Sequence, residues 1–322
     1  MKENFWQKIE KPILALAPMA GFSDSPFRII TSEYGADVVY SEMASVASIF
    51  FHQKELDHRT FDILKFDSSQ KGKYVVQLFG SEPEHFAVAA RLVEQVIKPD
   101  GIDLNFGCPV GKVIKQGAGA DLMKDLPRAR EIIKAVLENT NLPVSIKIRA
   151  GAGTNSALDF LDNVSDLPIS AVMIHGRTLA QGFVGEINCE LIKEARQHFS
   201  GIILANGGIN NLEQAQEILL KSGADGLGLA RGVLGRPWMF QEIKSGKIIE
   251  LSKSEIAAIA IRHARLEEKL KGPGAIVELR KHLCWYAQGI SGASHLRSQL
   301  VKVFNAQEIE NIFNAWVEEK NI

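Results

Sequence analysis

A (β/α)8 barrel followed by a small all-helical domain is the fold class this sequence predicts, and three observations predict it. Eight short apolar runs recur through the first three-quarters of the chain, segments with helical period separate most of them, and the strand-like runs stop after about residue 245. Strands alternating with helices make a parallel sheet. Strands buried on both faces read as continuous apolar runs, and eight such units in roughly 230 residues suit a closed barrel. The alternative, an open doubly wound sheet, normally carries a GxGxxG turn after an early strand, and none is present.

The strands are expected at ILALAPM (13–19), ADVVYSEM (36–43), YVVQLFG (74–80), GIDLNFG (101–107), PVSIKIR (143–149), AVMIHGR (171–177), IILANGG (202–208) and GLGLARG (226–232). Helical period marks 83–98, 126–139 and 212–223, the last ended by Gly223. The segment 44–72 is too long for a plain loop and is expected to carry a helix over the barrel mouth. After the eighth strand, 252–272, 275–289 and 306–319 read as amphipathic helices, with GISGAS (289–294) closing the second. The expected division is a catalytic barrel over 1–245 and a helical domain over 246–322.

The chain has 322 residues, 46% apolar and 23% charged, enough for a large core. A formal net charge of −1 means that any nucleic-acid contact must come from a local patch. Such a patch is visible from Arg262 to Lys302, where eight Lys/Arg face three Glu. Cys108, Cys189 and Cys284 are far apart, with no CxxC or Cys/His cluster. A disulfide framework or a metal site is therefore not expected, and a reducing cytoplasm is. PILALAPMAGF (12–22) is too short to span a bilayer, and its flanking acids and prolines suit a signal peptide poorly. A monomer is expected.

In a barrel, chemistry sits at the C-terminal ends of the strands. Here those ends are polar: Gln77, then Asn105 and Cys108, Lys147 and Arg149, His175 and Arg177, Asn206-Gly207-Gly208, and Ala230-Arg231. Any one of these could be a hydrogen-bonded structural residue, and a cysteine beside a core strand is often only a small hydrophobe. The set, gathered at one end, points to a site. The last two loops fall where barrels build phosphate sites from backbone N–H groups, and Arg231 adds a cation. A phosphate there, with Lys147 and Gln77 deeper in the mouth, suits flavin mononucleotide (FMN).

APMAGFSDSPFR (17–28), LNFGCPVGKVIKQGAGADLMKD (104–125), SIKIRAG (145–151), IHGRTLAQGFVG (174–185), ANGGI (205–209), ARGVLGRPWMF (230–240) and RKHLCWYAQGISGASHLR (280–297) together resemble the bacterial tRNA-dihydrouridine synthases, most closely the B type. The resemblance implies an FMN enzyme that uses NADPH to reduce the carbon 5–carbon 6 double bond of D-loop uridines in tRNA. It implies flavin contacts from Pro18, Met19, Ala20, Gly21, Gln77, Lys147, His175, Asn206, Gly207, Gly208, Ala230 and Arg231. It also implies Cys108 as the catalytic cysteine, with Asn105 and Arg177 toward the uracil or its phosphate. Ala230 stands where glycine is common, which requires a negative φ there. The 150–160 and 185–192 stretches lack tryptophans usual in the family.

A thiol fits this chemistry. Reduction delivers a hydride to one carbon and a proton to the other. A thiol with a pKa near ~8.5 stays protonated at neutral pH yet can yield its proton to an enolate-like carbon. Lys147, Arg149 or His175 could stabilise the developing oxyanion. The target base must leave its stack, so RNA grip must come from phosphate and shape contacts. Arg262, Arg265, Arg280, Lys281 and Arg297 on the helical tail are the candidates. Three other readings stay open: an aldolase with Lys147 as Schiff-base lysine, an FMN barrel acting on a free pyrimidine, and an RNA-binding protein with a vestigial barrel.

Overall fold

Alternation along the strands sets the architecture. In the computed structural model, which describes residues 4–56, 58–289 and 292–319, the first strand β1 (Ile13–Leu16) sends Ile13 and Ala15 to one buried cluster and Leu14 and Leu16 to another. The same division runs through β2 (Val38–Tyr40), β3 (Lys73–Phe79), β4 (Gly101–Phe106), β5 (Val144–Arg149), β6 (Ala171–His175), β7 (Ile202–Asn206) and β8 (Gly226–Leu229). Successive side chains point to opposite faces of a strand, so one cluster is the barrel interior and the other lies beneath the helices. That is why each run reads as continuously apolar.

All eight strands pair in parallel, in the order β2-β1-β8-β7-β6-β5-β4-β3. The Val38↔Lys73 to Tyr40↔Val75 register between β2 and β3 closes the barrel. Its N-terminal end is plugged by the 3-10 turn Phe5–Lys8, which buries Phe5 and Trp6 among the inward residues. Going toward the C-terminal end, the interior turns polar. Val75 gives way to Gln77, Met173 to His175 and Leu204 to Asn206, while β5 presents Ser145, Lys147 and Arg149 in succession.

The helices around the barrel are α1 (Ser25–Glu33), α2 (Val46–Phe51), α3 (Pro83–Leu92), α4 (Leu126–Leu137), α5 (Ala157–Asn163), α6 (Cys189–Glu194), α7 (Leu212–Ser222) and α8 (Met239–Ser245). Sequence chemistry starts and stops them. Asp24 caps α1 by accepting from the Phe27 amide at 3.2 Å, Ser156 and Asp159 form a capping box on α5, and Gly223 ends α7 at a φ of 58°. The 44–72 segment differs from expectation. It holds α2 and the single turn Arg59–Asp62, and α2 buries Val46 and Ile49 in the cluster beneath the helices. Among the described residues, none between 44 and 72 lines the mouth.

Four helices follow: α9 (Lys253–Lys271), α10 (Ile276–Tyr286), α11 (Ala293–Leu300) and α12 (Ala306–Glu318). A Ser252/Glu255 capping box starts α9, and Asn305 caps α12. Their apolar faces form a core of their own, with Leu279, Leu283, Leu300, Ile309 and Phe313 buried in it. Ile30 of α1 and Trp238 also belong to that core, so cutting the chain near 245 would strip cover from the barrel. Helix α11 has no counterpart among the expected elements. Of the GISGAS stretch, Ile290 and Ser291 lie outside the described residues.

Candidate active site at the barrel mouth

A cavity of about 640 Å³ opens at the C-terminal ends of the strands. Pro18, Met19, Ala20, Gln77, Asn105, Cys108, Lys147, Arg149, His175, Arg177, Asn206, Gly207, Gly208, Ala230 and Arg231 all line it. Four of these are cations, and no carboxylate among the described residues lines the cavity. Gly21 does not line it; its amide donates to the Glu42 carboxylate instead. Arg280, Lys281 and Arg297 also lie outside the lining.

The Cys108 loop is held by a buried polar ladder. Ser145 Oγ donates to Asp103 Oδ1 at 2.7 Å, and Gln77 Nε2 donates to Asp103 Oδ2 at 2.7 Å. Asn105 Nδ2 donates to Gln77 Oε1 at 2.9 Å, and Asn105 Oδ1 accepts from the Cys108 amide at 2.9 Å and the Gly107 amide at 3.1 Å. Asn105, expected to face substrate, is thus also the bracket of the thiol loop. Arg149 is a second brace: Nε donates to Gly107 O at 2.8 Å, and Nη1 donates to Thr178 O at 3.1 Å and Gly182 O at 2.9 Å. Cys108 is half-buried. Burial pushes its thiol pKa up, which keeps the proton on sulfur at neutral pH.

Burial and the repulsion of Arg149 bring Lys147 down to about 8. Its ammonium donates to Asn206 Oδ1 at 3.0 Å, and Asn206 Nδ2 donates to Gly228 O at 2.7 Å. Burial, then Lys147, Arg149 and Arg177, bring His175 down to about 3, so its ring is neutral. The Arg177 amide donates to Nδ1 at 3.3 Å, which leaves the proton on Nε2 as a donor. Asp103 is pushed up to about 6 by burial, against the hydrogen bonds from Gln77 and Ser145.

Beside these groups lies a cradle. Gly207 and Gly208 have φ values of 103° and 71°. A Cβ on Gly207 would stand 3.1 Å from His175 Nε2 and 3.2 Å from Ile187 Cγ2, so glycine leaves the backbone open there. Burial and then Arg231 lower the Arg177 pKa: two cations converge with no acid between them. Such a cradle suits a phosphate. Ala230 has a φ of −128°, the negative sign that a β-carbon at this position requires.

Sequence reasoning missed two aromatic walls. Phe183 is 54% exposed, with the Arg231 and Arg149 guanidinium carbons 4.9 Å and 5.6 Å from its ring centre. Trp285 reaches the cavity from α10. Phe183 sits inside the HGRTLAQGFVG stretch and could have been flagged as an exposed loop aromatic. Trp285 could not, because nothing local says that a tail helix abuts the mouth.

On the tail, Arg262 pairs with Glu33 of α1 and Arg265 with Glu310, the latter through two contacts of 2.8 Å. Arg280 donates to Val303 O at 2.9 Å and 2.7 Å. Lys281 stands over the Phe22 ring at 5.1 Å. Neither Lys281 nor Arg297 forms a close ion pair among the described residues, although the Lys281 charge acts on the Glu42 carboxyl, which burial raises. At the joint, Asp24, His263 and His282 offer ligand atoms within 4.8 Å of one another. The Phe27 amide and the Lys271 ammonium, at 2.7 Å, already hold the Asp24 oxygens; the cation in that cluster is a lysine.

Fold and mouth together define a (β/α)8 barrel with a cation-lined site at the C-terminal ends of its strands. The chain belongs to the dihydrouridine synthase family, whose sequence model matches residues 15–321. It is 35% identical over 304 residues to tRNA-dihydrouridine synthase B of Vibrio cholerae, covering 92% of this chain and 91% of that protein. It is 31% identical over 321 residues to tRNA-dihydrouridine synthase B of Pasteurella multocida, covering 95% of each. Among solved structures, morphinone reductase shares the fold at 12% identity, with a TM-score of 0.51 over 76% of this chain and 88% of that one. No helix among the described residues is long and apolar enough to cross a membrane.

Proposed function

We propose that this protein reduces the carbon 5–carbon 6 double bond of D-loop uridines in tRNA, with FMN in the barrel mouth, NADPH as electron donor and Cys108 as proton donor. The observation that carries this reading is a mouth rich in cations and, among the described residues, lined by no carboxylate, in which a protonated thiol shares the wall with a glycine cradle. Bound FMN, re-reduced by NADPH, would supply the hydride that reaches carbon 6 of the uracil.

The residues fit that group. Gly207, Gly208, Arg177 and Arg231 would hold its phosphate, and Lys147 and Gln77 its ring edge; one Gln77 amide hydrogen is not used by the ladder. The thiol gives its proton to carbon 5 as charge builds there. Asn105 and Arg149 hold the Cys108 loop against drift, since misplacement by about 1 Å costs heavily in rate. The neutral His175, with hydrogen on Nε2, donates toward an oxygen that becomes anionic.

The tail supplies RNA contact through fewer charges than its composition suggests. Arg262 and Arg265 are already paired with acids; Arg280, Lys281 and Arg297 are the candidate cations left for phosphates. Two measurements test the reading: visible absorption of the purified protein, expected to show a flavin, and mass spectrometry of unmodified tRNA after incubation with NADPH, expected to show a gain of two hydrogens per reduced uridine. A colourless protein that leaves tRNA unchanged even with added FMN overturns it.

A further inference from the structure

Trp285 lines two cavities. One is the mouth; the other, of about 480 Å³, lies in the seam between the loop after β8 and the tail helices. The seam cavity shares Asn210, Arg231 and Trp285 with the mouth and adds Arg236, Trp238 and Gln288. The seam is tightly built. Gly235, at a φ of 69°, lies so close to α10 that a Cβ would stand 2.3 Å from the Trp285 carbonyl oxygen. Arg236 is fixed by one edge, its Nη2 donating to the buried Glu242 carboxylate at 2.9 Å and 2.7 Å. Its other nitrogens have no partner among the described residues.

We propose that the seam cavity is a second nucleotide subsite, taking a nucleotide that flanks the uridine inserted in the mouth, with its base against Trp285. This rests on the function proposed above. A strand that delivers one base into a pocket carries its neighbours to the rim, and enzymes that extract a base read those neighbours. The lining suits such an occupant. Indole faces stack on any base, Arg236 offers free donors to a phosphate, and Gln288 and Asn210 offer amides to a base edge. Through Trp285 the subsite joins the RNA-gripping tail to the reaction chamber.

The test uses the full chain and tRNA transcripts with a single abasic residue moved along the D-loop, scored by filter binding. Wild type is expected to lose about tenfold in affinity at the flanking position as well as at the target. Trp285→Ala is expected to bind intact tRNA about tenfold more weakly and to show no further loss at the flanking position, while keeping the loss at the target. Trp285→Phe should recover most of the affinity. Gln288→Ala, at an exposed position just past α10, should lose about threefold without disturbing packing. If no flanking abasic residue weakens wild-type binding, or if its effect persists undiminished in Trp285→Ala, the subsite is refuted. Mass spectrometry of the same transcripts reports separately on uridine reduction, so binding decides the subsite even if the proposed activity fails.

Discussion

The barrel mouth and the joint between barrel and tail both bury ionisable groups, but they treat charge in opposite ways. At the joint, Lys271 lies 2.7 Å from Asp24, 2.6 Å from Glu267 and 3.1 Å from Glu278, so one ammonium serves three carboxylates. At the mouth, Lys147, Arg149, Arg177 and Arg231 share a wall with no acid among the described lining residues, Asp103 lying beneath it. Buried charge without a partner is costly. Where a fold completes its own pairs, the cluster holds elements together. Where it leaves cations in excess at an open mouth, the site suits an anionic ligand.

Cutting the chemistry without touching the joint should give the largest effect. Cys108→Ala is expected to keep its flavin and its folding stability while dihydrouridine formation falls at least 100-fold, read by mass spectrometry of tRNA. Near-normal turnover would end the acid role. Next comes the joint. Lys271→Met leaves Asp24 and Glu267 without their shared cation and should cost about 3 kcal/mol in urea unfolding; a loss confined to activity would show that the joint does not hold barrel and tail together.

Glu267 sharpens the contrast through pH. It competes with Asp24 for one lysine, and burial and then Asp24 push its carboxyl up to about 8. Its folded pKa lies above its unfolded one, so its contribution to stability is complete below about 4.5 and is lost as pH rises through 8. Wild-type stability should therefore fall between about pH 4.5 and 8 and level off above that, and Glu267→Gln should flatten that slope. An unchanged slope would mean that the second carboxylate is ionised throughout. The smallest effect belongs to Arg262→Ala. Its pair with Glu33 is solvent-facing, so stability should change by less than about 1 kcal/mol. Affinity for tRNA should barely move, because that charge is already spent. A large drop in tRNA affinity would return Arg262 to the RNA surface.

All eight strands were legible because burial on two faces leaves continuous apolar runs, and the mouth was legible because its polar groups end those same runs. Gln77, His175 and Asn206 each interrupt an apolar pattern at the inward position. What the sequence hid was pairing across distance. The neutralisation of Arg262 by Glu33 links residues 229 positions apart, and no local pattern records it. The hydrogen bond from the Gly21 amide to the Glu42 carboxylate, across 21 positions, is another pairing that no local pattern records. Helix α11, eight residues long with two of them buried, is too short for its period to stand out.

The ladder from Ser145 to the Cys108 amide crosses three adjacent strands before it reaches the sulfur-bearing turn. A residue on an irregular segment thereby inherits the stiffness of the sheet. Slipping β4 by one position would turn Asp103 and Asn105 outward together, breaking both rungs at once. The placement of the thiol is therefore tied to strand registration, and swapping neighbouring loop residues should shift reactivity less than any change that lets β3, β4 or β5 slide.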